Sequence, residues 1–301
     1  MPCRFRLVGT AASILWVASV TADQSGPVDA ADKHSARYAA TIAVDANLAG
    51  KDTGLYTTTD HTASKYIRNT NVWAASYDLT CVPVYNSYGM ELSTNACCPW
   101  EAATRRAGTL VSPRHLVFAH HYPIPNGTQL RFVDRNNAVV TRTMTDSVTI
   151  TGADLQIGVL NADVPAGQIS FARVLPANYT DYFPSSLRGI PAMCFNKVPQ
   201  AVVSDIGAVL PTPTNATVIA YAVPTNAERK RLYSDKISGD SGQPAFIILN
   251  GQLVILNVWT GGGPGTGNFI ASYTDPINAA MKKLGGGYRL TPVDLSGYTR
   301  Y

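Results

Sequence analysis

An all-β fold of two lobes, closed by a short C-terminal helix, is what this 301-residue sequence predicts. Three observations point there. With 24 Gly, 19 Pro and 15 Tyr among short Thr, Val and Ser runs, the composition favours strands and turns over long helices. The strand-like segments fall into two groups, separated by the Pro/Tyr/Ser-rich stretch Pro176 to Ser186. Only one segment, close to the end, carries a clear helical signature. At 46% hydrophobic and 15% charged residues, the chain can bury a core and does not read as a disordered tail.

Taken in order, the chain opens with Arg4 and Arg6 ahead of the apolar run Leu7 to Val20. Val20-Thr21-Ala22 then suits a signal peptidase. Residues 1–22 therefore read as a signal peptide and the mature protein as secreted and extracellular. A buried N-terminal strand is the competing account of the same run. No other stretch has the roughly 18 uninterrupted apolar residues of a spanning helix, so no stable membrane insertion is expected. Residues 23–72 lack a sustained period, and propeptide, flexible leader and surface strap all remain open for them.

The first lobe spans 73–175, with strands expected at Leu79 to Val84, Thr109 to Val111, His115 to Ala119, Gln129 to Val133, Ala138 to Met144, Leu155 to Leu160 and Ile169 to Val174. Residues 176–285 form the second. Its strands are expected at Ala192 to Phe195, Ala201 to Val209, Thr217 to Val223, Pro244 to Leu249, Leu253 to Trp259 and Phe269 to Tyr273. A helix follows over Ile277 to Leu284, with Pro276 in its first turn and Gly285 ending it. The tail, 286–301, is interrupted by Pro and Gly and should lie along the surface.

The net charge of +4 carries no basic block, which leaves nucleic-acid binding without compositional support. Excision of the first 22 residues removes Cys3 and leaves Cys81, Cys97, Cys98 and Cys194. In an oxidising compartment these read as disulfide formers, with three pairings open, rather than as a zinc site. Asn126, Asn178 and Asn215 each begin a glycosylation acceptor pattern.

The chemistry concentrates in three segments. Ile237-Ser-Gly-Asp-Ser-Gly-Gln-Pro244 places glycines around an Asp-Ser pair ahead of an apolar strand. Such a turn can expose Ser241 and aim the N–H groups of Gly239 and Ser241 at one point, as an oxyanion requires. Serine needs a base, and Leu116-Val-Phe-Ala-His-His-Tyr122 puts two histidines at the end of an apolar strand. Asp154, opening Asp-Leu-Gln-Ile-Gly-Val-Leu160, supplies a carboxylate that can accept the imidazole hydrogen and set its tautomer.

In that order, His then Asp then Ser, the chain resembles the chymotrypsin-like (trypsin-like) serine peptidase family over roughly residues 73–285. The Gly-Asp-Ser-Gly-x-Pro block is the most specific part of the match. The resemblance implies two six-stranded β-barrel lobes and a serine endopeptidase with His121, Asp154 and Ser241 as its triad. His120 takes the place of the small residue before the catalytic His. The amides of Gly239 and Ser241 would form the oxyanion hole, with Asp240 buried beneath it, and Val258-Trp259-Thr260 would be the edge strand that pairs with substrate. Asp235, six before Ser241, would sit at the base of the primary specificity pocket and favour Arg or Lys substrates. Polypeptide substrates and protein inhibitors are the implied partners, and no cofactor is implied. Tyr122 stands where many relatives carry a cysteine, and no activation sequence that would free an amine for Asp240 is evident. A catalytically inactive, secreted binding protein of the same fold is the competing reading. A Thr/Tyr-rich adhesion protein is a third, which leaves the order of the three blocks unexplained.

Overall fold

A computed structural model describes residues 32–86, 106–184, 186–212 and 216–301. The signal segment, Cys3, Cys97, Cys98 and Asn215 lie outside these residues. The described chain is mostly β. The first sheet contains β3 (Tyr85–Asn86), β4 (Thr109–Leu110), β5 (His115–Ala119), β6 (Gln129–Val133), β7 (Val139–Thr149) and β8 (Leu155–Leu160), in the spatial order β3-β6-β7-β8-β5-β4. The second contains β9 (Pro191–Phe195), β10 (Ala201–Pro211), β11 (Thr217–Ala222), β12 (Pro244–Leu249), β13 (Gln252–Val258) and β14 (Thr266–Asn268), in the order β13-β12-β9-β10-β11-β14. All their pairings are antiparallel.

Local chemistry explains the hairpins. Between β12 and β13 the two-residue loop Asn250-Gly251 has positive φ at both positions (52° and 69°), the twist that a tight hairpin needs. Between β6 and β7, Asp134 Oδ1 accepts from the N–H groups of Asn136 and Ala138 at 2.8 Å each, and Asn137 takes φ 68°. One continuous core joins the two sheets, with Phe118 and Leu155 of the first and Phe246, Ile255 and Val258 of the second in the same cluster. A second core lies against the second sheet, where Ile247 and Leu249 meet Ala36 and Ala40.

Those two alanines belong to α1 (Ala36–Asp45), which therefore packs against the second sheet. Ser35 caps α1 by accepting from the Tyr38 N–H at 3.1 Å. Ala36, Ala40 and Val44, spaced by four, form its buried stripe. A hairpin of β1 (Tyr56–Asp60) and β2 (Lys65–Arg68) follows. Two more α-helices follow among the described residues, α2 (Ala227–Arg231) and α3 (Thr274–Leu284), the latter starting three residues before the expected Ile277.

Three expected strands are absent. Leu79 to Val84 is a turn, because Asp78 Oδ1 accepts from both the N–H and the Oγ1–H of Thr80, and Pro83 lacks a ladder donor. Ile169 to Val174 threads between elements: the N–H of Ala172 goes to Leu110, that of Arg173 to Leu253 and that of Val174 to Thr291. Phe269 to Tyr273 ends in a 3-10 turn, Ile270–Tyr273. The tail is not confined to the surface either, since Leu290, Val293 and Leu295 are buried. Its end meets the start of the described chain, Thr299 donating to the His34 carbonyl at 3.0 Å and Tyr301 Oη to Asp32 at 3.0 Å. Cys81 and Cys194 are buried and are not joined to each other. Asn126 and Asn178 are exposed. Among the described residues no helix is long and apolar enough to cross a membrane.

Arg229, in α2, fastens α1 to the second sheet. Its guanidinium donates to both Asp45 oxygens at 2.7 Å and to Asp205 Oδ1 at 2.9 Å. Truncating one member of such a cluster strands the others in low dielectric. Arg229→Ala should therefore lower unfolding stability by about 3 kcal/mol, the low end of the usual range because the Asp45 side chain is 28% exposed. A loss below about 1 kcal/mol in chemical denaturation, the size of a surface pair, would show that packing alone holds α1.

Candidate active site

Strand register brings the first two site residues together. Ala119, the last residue of β5, pairs with Leu155, the first of β8. His121 lies two residues beyond one strand end and Asp154 one residue before the other, so they emerge side by side. The His121 backbone N–H donates to Asp154 Oδ1 at 2.8 Å, and its ring Nδ1 lies 2.6 Å from Asp154 Oδ2. Burial pushes the Asp154 carboxyl up, but the hydrogen bonds from His121 and the nearby His121 and His120 rings outweigh it. The group ends below its usual value.

An ionised carboxylate only accepts, so Nδ1 carries the ring hydrogen and Nε2 is free to accept. Ser241 Oγ is 2.8 Å from that Nε2. His120 is directed elsewhere: its backbone N–H donates to the Asp154 carbonyl at 3.3 Å and its ring Nδ1 lies 3.3 Å from Thr149 Oγ1. The His121 side chain is 43% exposed, which leaves the ring open to an incoming molecule.

The turn that carries Ser241 is braced on both sides. Gly242 N–H donates to the Trp259 carbonyl and Trp259 N–H to the Gln243 carbonyl, each at 2.9 Å, extending the β12–β13 ladder to the residues just after the serine. Buried beneath the turn, Asp240 accepts from the N–H groups of Ile237 at 2.8 Å and Lys197 at 2.7 Å. These two backbone donors satisfy the carboxylate without a charged amine. The Lys197 ammonium in turn donates to the Ser238 carbonyl at 2.9 Å.

Gly239 has φ 95°, a conformation that glycine adopts without strain. Neither its N–H nor that of Ser241 has a backbone acceptor among the described residues. The remaining sequence candidates are placed differently. Asp235 is exposed and accepts a hydrogen bond from Tyr233 Oη, and no contact joins it to Ser241. The next residue, Lys236, is buried instead, its ammonium 5.1 Å from the centre of the Trp259 ring. Trp259 is itself buried, and its main-chain N–H and C=O are both used by the Ser241 turn. Thr260 N–H donates to the Thr266 carbonyl at 2.9 Å.

Sequence reasoning missed four contributors: Lys197, Asn268, whose Oδ1 accepts from the Asp154 N–H at 2.8 Å, Tyr273, whose Oη accepts from Asn268 Nδ2 at 3.3 Å, and Ala107. The first three act across long sequence separations, with no local pattern to reveal them. Ala107 matters because a Cβ on Gly242, at φ 85°, would come within 2.3 Å of its carbonyl oxygen. Gly242→Ala should accordingly destabilise the protein by more than about 1 kcal/mol and displace the serine turn. A variant with an unchanged thermal midpoint would refute that close approach. None of the known protein-family models or curated proteins compared with this chain matches it, so the meaning of the site rests on its own residues.

Proposed function

We propose that the protein is a secreted serine endopeptidase of chymotrypsin-like type, its two sheets curling into the six-stranded barrels of that fold. The observation that carries the reading is the unbroken hydrogen-bonded chain from Asp154 through His121 to Ser241. Support also comes from the residues' order along the sequence and from the open face of the imidazole.

In the first step Ser241 Oγ forms a bond to the substrate carbonyl carbon while its proton passes to His121 Nε2. The negative charge that develops on the carbonyl oxygen is met by the amides of Gly239 and Ser241. Collapse of this intermediate breaks the C–N bond, and Nε2–H delivers its proton to the leaving amine. Water, deprotonated by the same nitrogen, then releases the acyl group and regenerates the serine. Asp154 remains ionised throughout, holding the imidazole in one tautomer and stabilising its charged form. A preference for Arg or Lys through Asp235, which is exposed and accepts a hydrogen bond from Tyr233 Oη, is the finer part of the proposal, and the cleavage pattern in a peptide library tests it.

A phosphonate that phosphonylates activated serines, together with a diverse peptide library, tests this directly. Wild type should be labelled and should cleave, whereas Ser241→Ala should do neither, with kcat reduced by about 10⁶-fold. Asp154→Asn should keep the geometry yet lose about 10⁴-fold in kcat, as a carboxylate lost from such a triad does. Equal labelling and equal cleavage by wild type and Ser241→Ala would sink the Ser241 mechanism, whereas a wild type that does not react with the probe would favour a binding protein. Because Asp240 is already satisfied by backbone amides, an uncleaved N-terminal extension should leave the labelling rate unchanged. A rate that appears only after N-terminal cleavage would show that Asp240 needs a freed amine.

A further inference from the structure

Asp154 is held from two directions. Its carboxylate faces His121, while its backbone N–H donates to Asn268 Oδ1 at 2.8 Å. Asn268 is the last residue of β14, at the far edge of the second sheet. A peptide N–H can only donate, so the oxygen of the Asn268 amide must face Asp154 and the nitrogen must face away. There Nδ2 donates to Tyr273 Oη at 3.3 Å. The same hydroxyl oxygen receives the Thr217 N–H at 2.9 Å, which leaves its own proton directed to the Gly152 carbonyl at 3.5 Å. Both side chains belong to buried residues, Asn268 4% and Tyr273 8% exposed. Gly152 and Asp154 both lie in the turn that connects β7 to β8 in the first sheet. Two side chains of the second sheet's chain segment thus grip that turn at two points.

We propose that Asn268 and Tyr273 are positioning residues that set the placement of Asp154 against His121, so that the triad is aligned only while the two sheets are docked at this turn. The proposal rests on the peptidase reading above. Neither side chain touches a reacting atom, and both act through the Asp154 backbone. The turn has internal bonds of its own, from Ile150 N–H to Leu155 and from Ala153 N–H to Ile150, which fold it but leave the Asp154 N–H to Asn268. Only the amide group meets both needs at position 268, accepting from Asp154 on one side and donating to Tyr273 on the other.

The test uses the full chain with Asn268→Ala, Asn268→Asp and Tyr273→Phe, each followed by the low-field proton resonance of His121 Nδ1–H and by kinetics per phosphonate-titrated site. Asn268→Ala should broaden or shift that resonance and lower kcat by about 10²-fold with little change in KM, the cost of a misplaced catalytic group. Tyr273→Phe should give the same signature more weakly. Asn268→Asp keeps an acceptor for Asp154 N–H but sets a second carboxylate beside Asp154. The groups facing that pair are His121, His120 and Tyr273, so added negative charge should favour the imidazolium and move the acid limb of kcat/KM to higher pH. A merely structural role would lower thermal stability while leaving resonance, kcat per site and pH limb at wild-type values, and that result overturns the proposal. Should Asn268→Ala fail to fold, the same readouts on Tyr273→Phe decide. Should wild type behave like Ser241→Ala, the peptidase reading fails, and the resonance alone then judges the clamp.

Discussion

The antiparallel register of β5 against β8 is the constraint from which the geometry of the site descends. With Ala119 opposite Leu155, the chain leaving one strand and the chain entering the other run past each other for one further residue on each side. All five residues of β5 are buried, so a slip of one position would exchange its two packed faces and mispack the side chains on both. The apolar face that packs Phe118 into the shared core therefore also fixes which histidine meets the carboxylate. His120 and His121 are chemically identical neighbours. Only the second directs both its main-chain N–H and its ring at Asp154, while the first is turned toward Thr149.

Ser241 arrives by an independent route. Its turn is stitched to the end of β13 by the paired bonds of Gly242, Gln243 and Trp259, and is supported from below by Asp240. A buried carboxylate that accepts two backbone hydrogen bonds organises the peptide units on either side of it, since each donor must stay in place to avoid an unsatisfied charge. The geometry of the site is thus a meeting of two separately built halves, and its accuracy is that of the docking between the sheets. The continuous core from Phe118 to Phe246 supplies the bulk of that docking, and the polar contacts near Gly152 refine it locally.

How much of this was legible in the sequence followed the range of the interactions. The Ser241 turn could be read because its glycines, its Asp-Ser pair and the strand after it are contiguous. The His120-His121 pair and Asp154 could be read because each adjoins an apolar strand, and the choice of His121 rested on the resemblance to the peptidase block. Asn268 and Asp154 are 114 positions apart, and no local pattern marks an asparagine whose amide will serve a distant backbone N–H. The misread strands have the same origin. Phe269 to Tyr273 has strand-forming side chains, yet Tyr273 is drawn to Asn268, Thr217 and Gly152, and the backbone turns to deliver it. Ile169 to Val174 is apolar because it passes through the interior, with successive amides bonded to different elements rather than to one partner strand. In residues 23–72 the helical stripe of α1 consists largely of alanine, whose small side chain carries a weak hydrophobic signal even when wholly buried.

The contact between the two extremities of the described chain has a topological meaning. Thr299 bonds to His34 and Tyr301 to Asp32, close to the Ser35 cap that starts α1. The backbone from Asp32 to Tyr301 is therefore a nearly closed ring rather than an open string. In such a ring the position of the break is not essential to the packing, so a short linker across residues 301 and 32, with a new opening at the exposed Asn250-Gly251 hairpin tip, would preserve both cores and all three residues of the site.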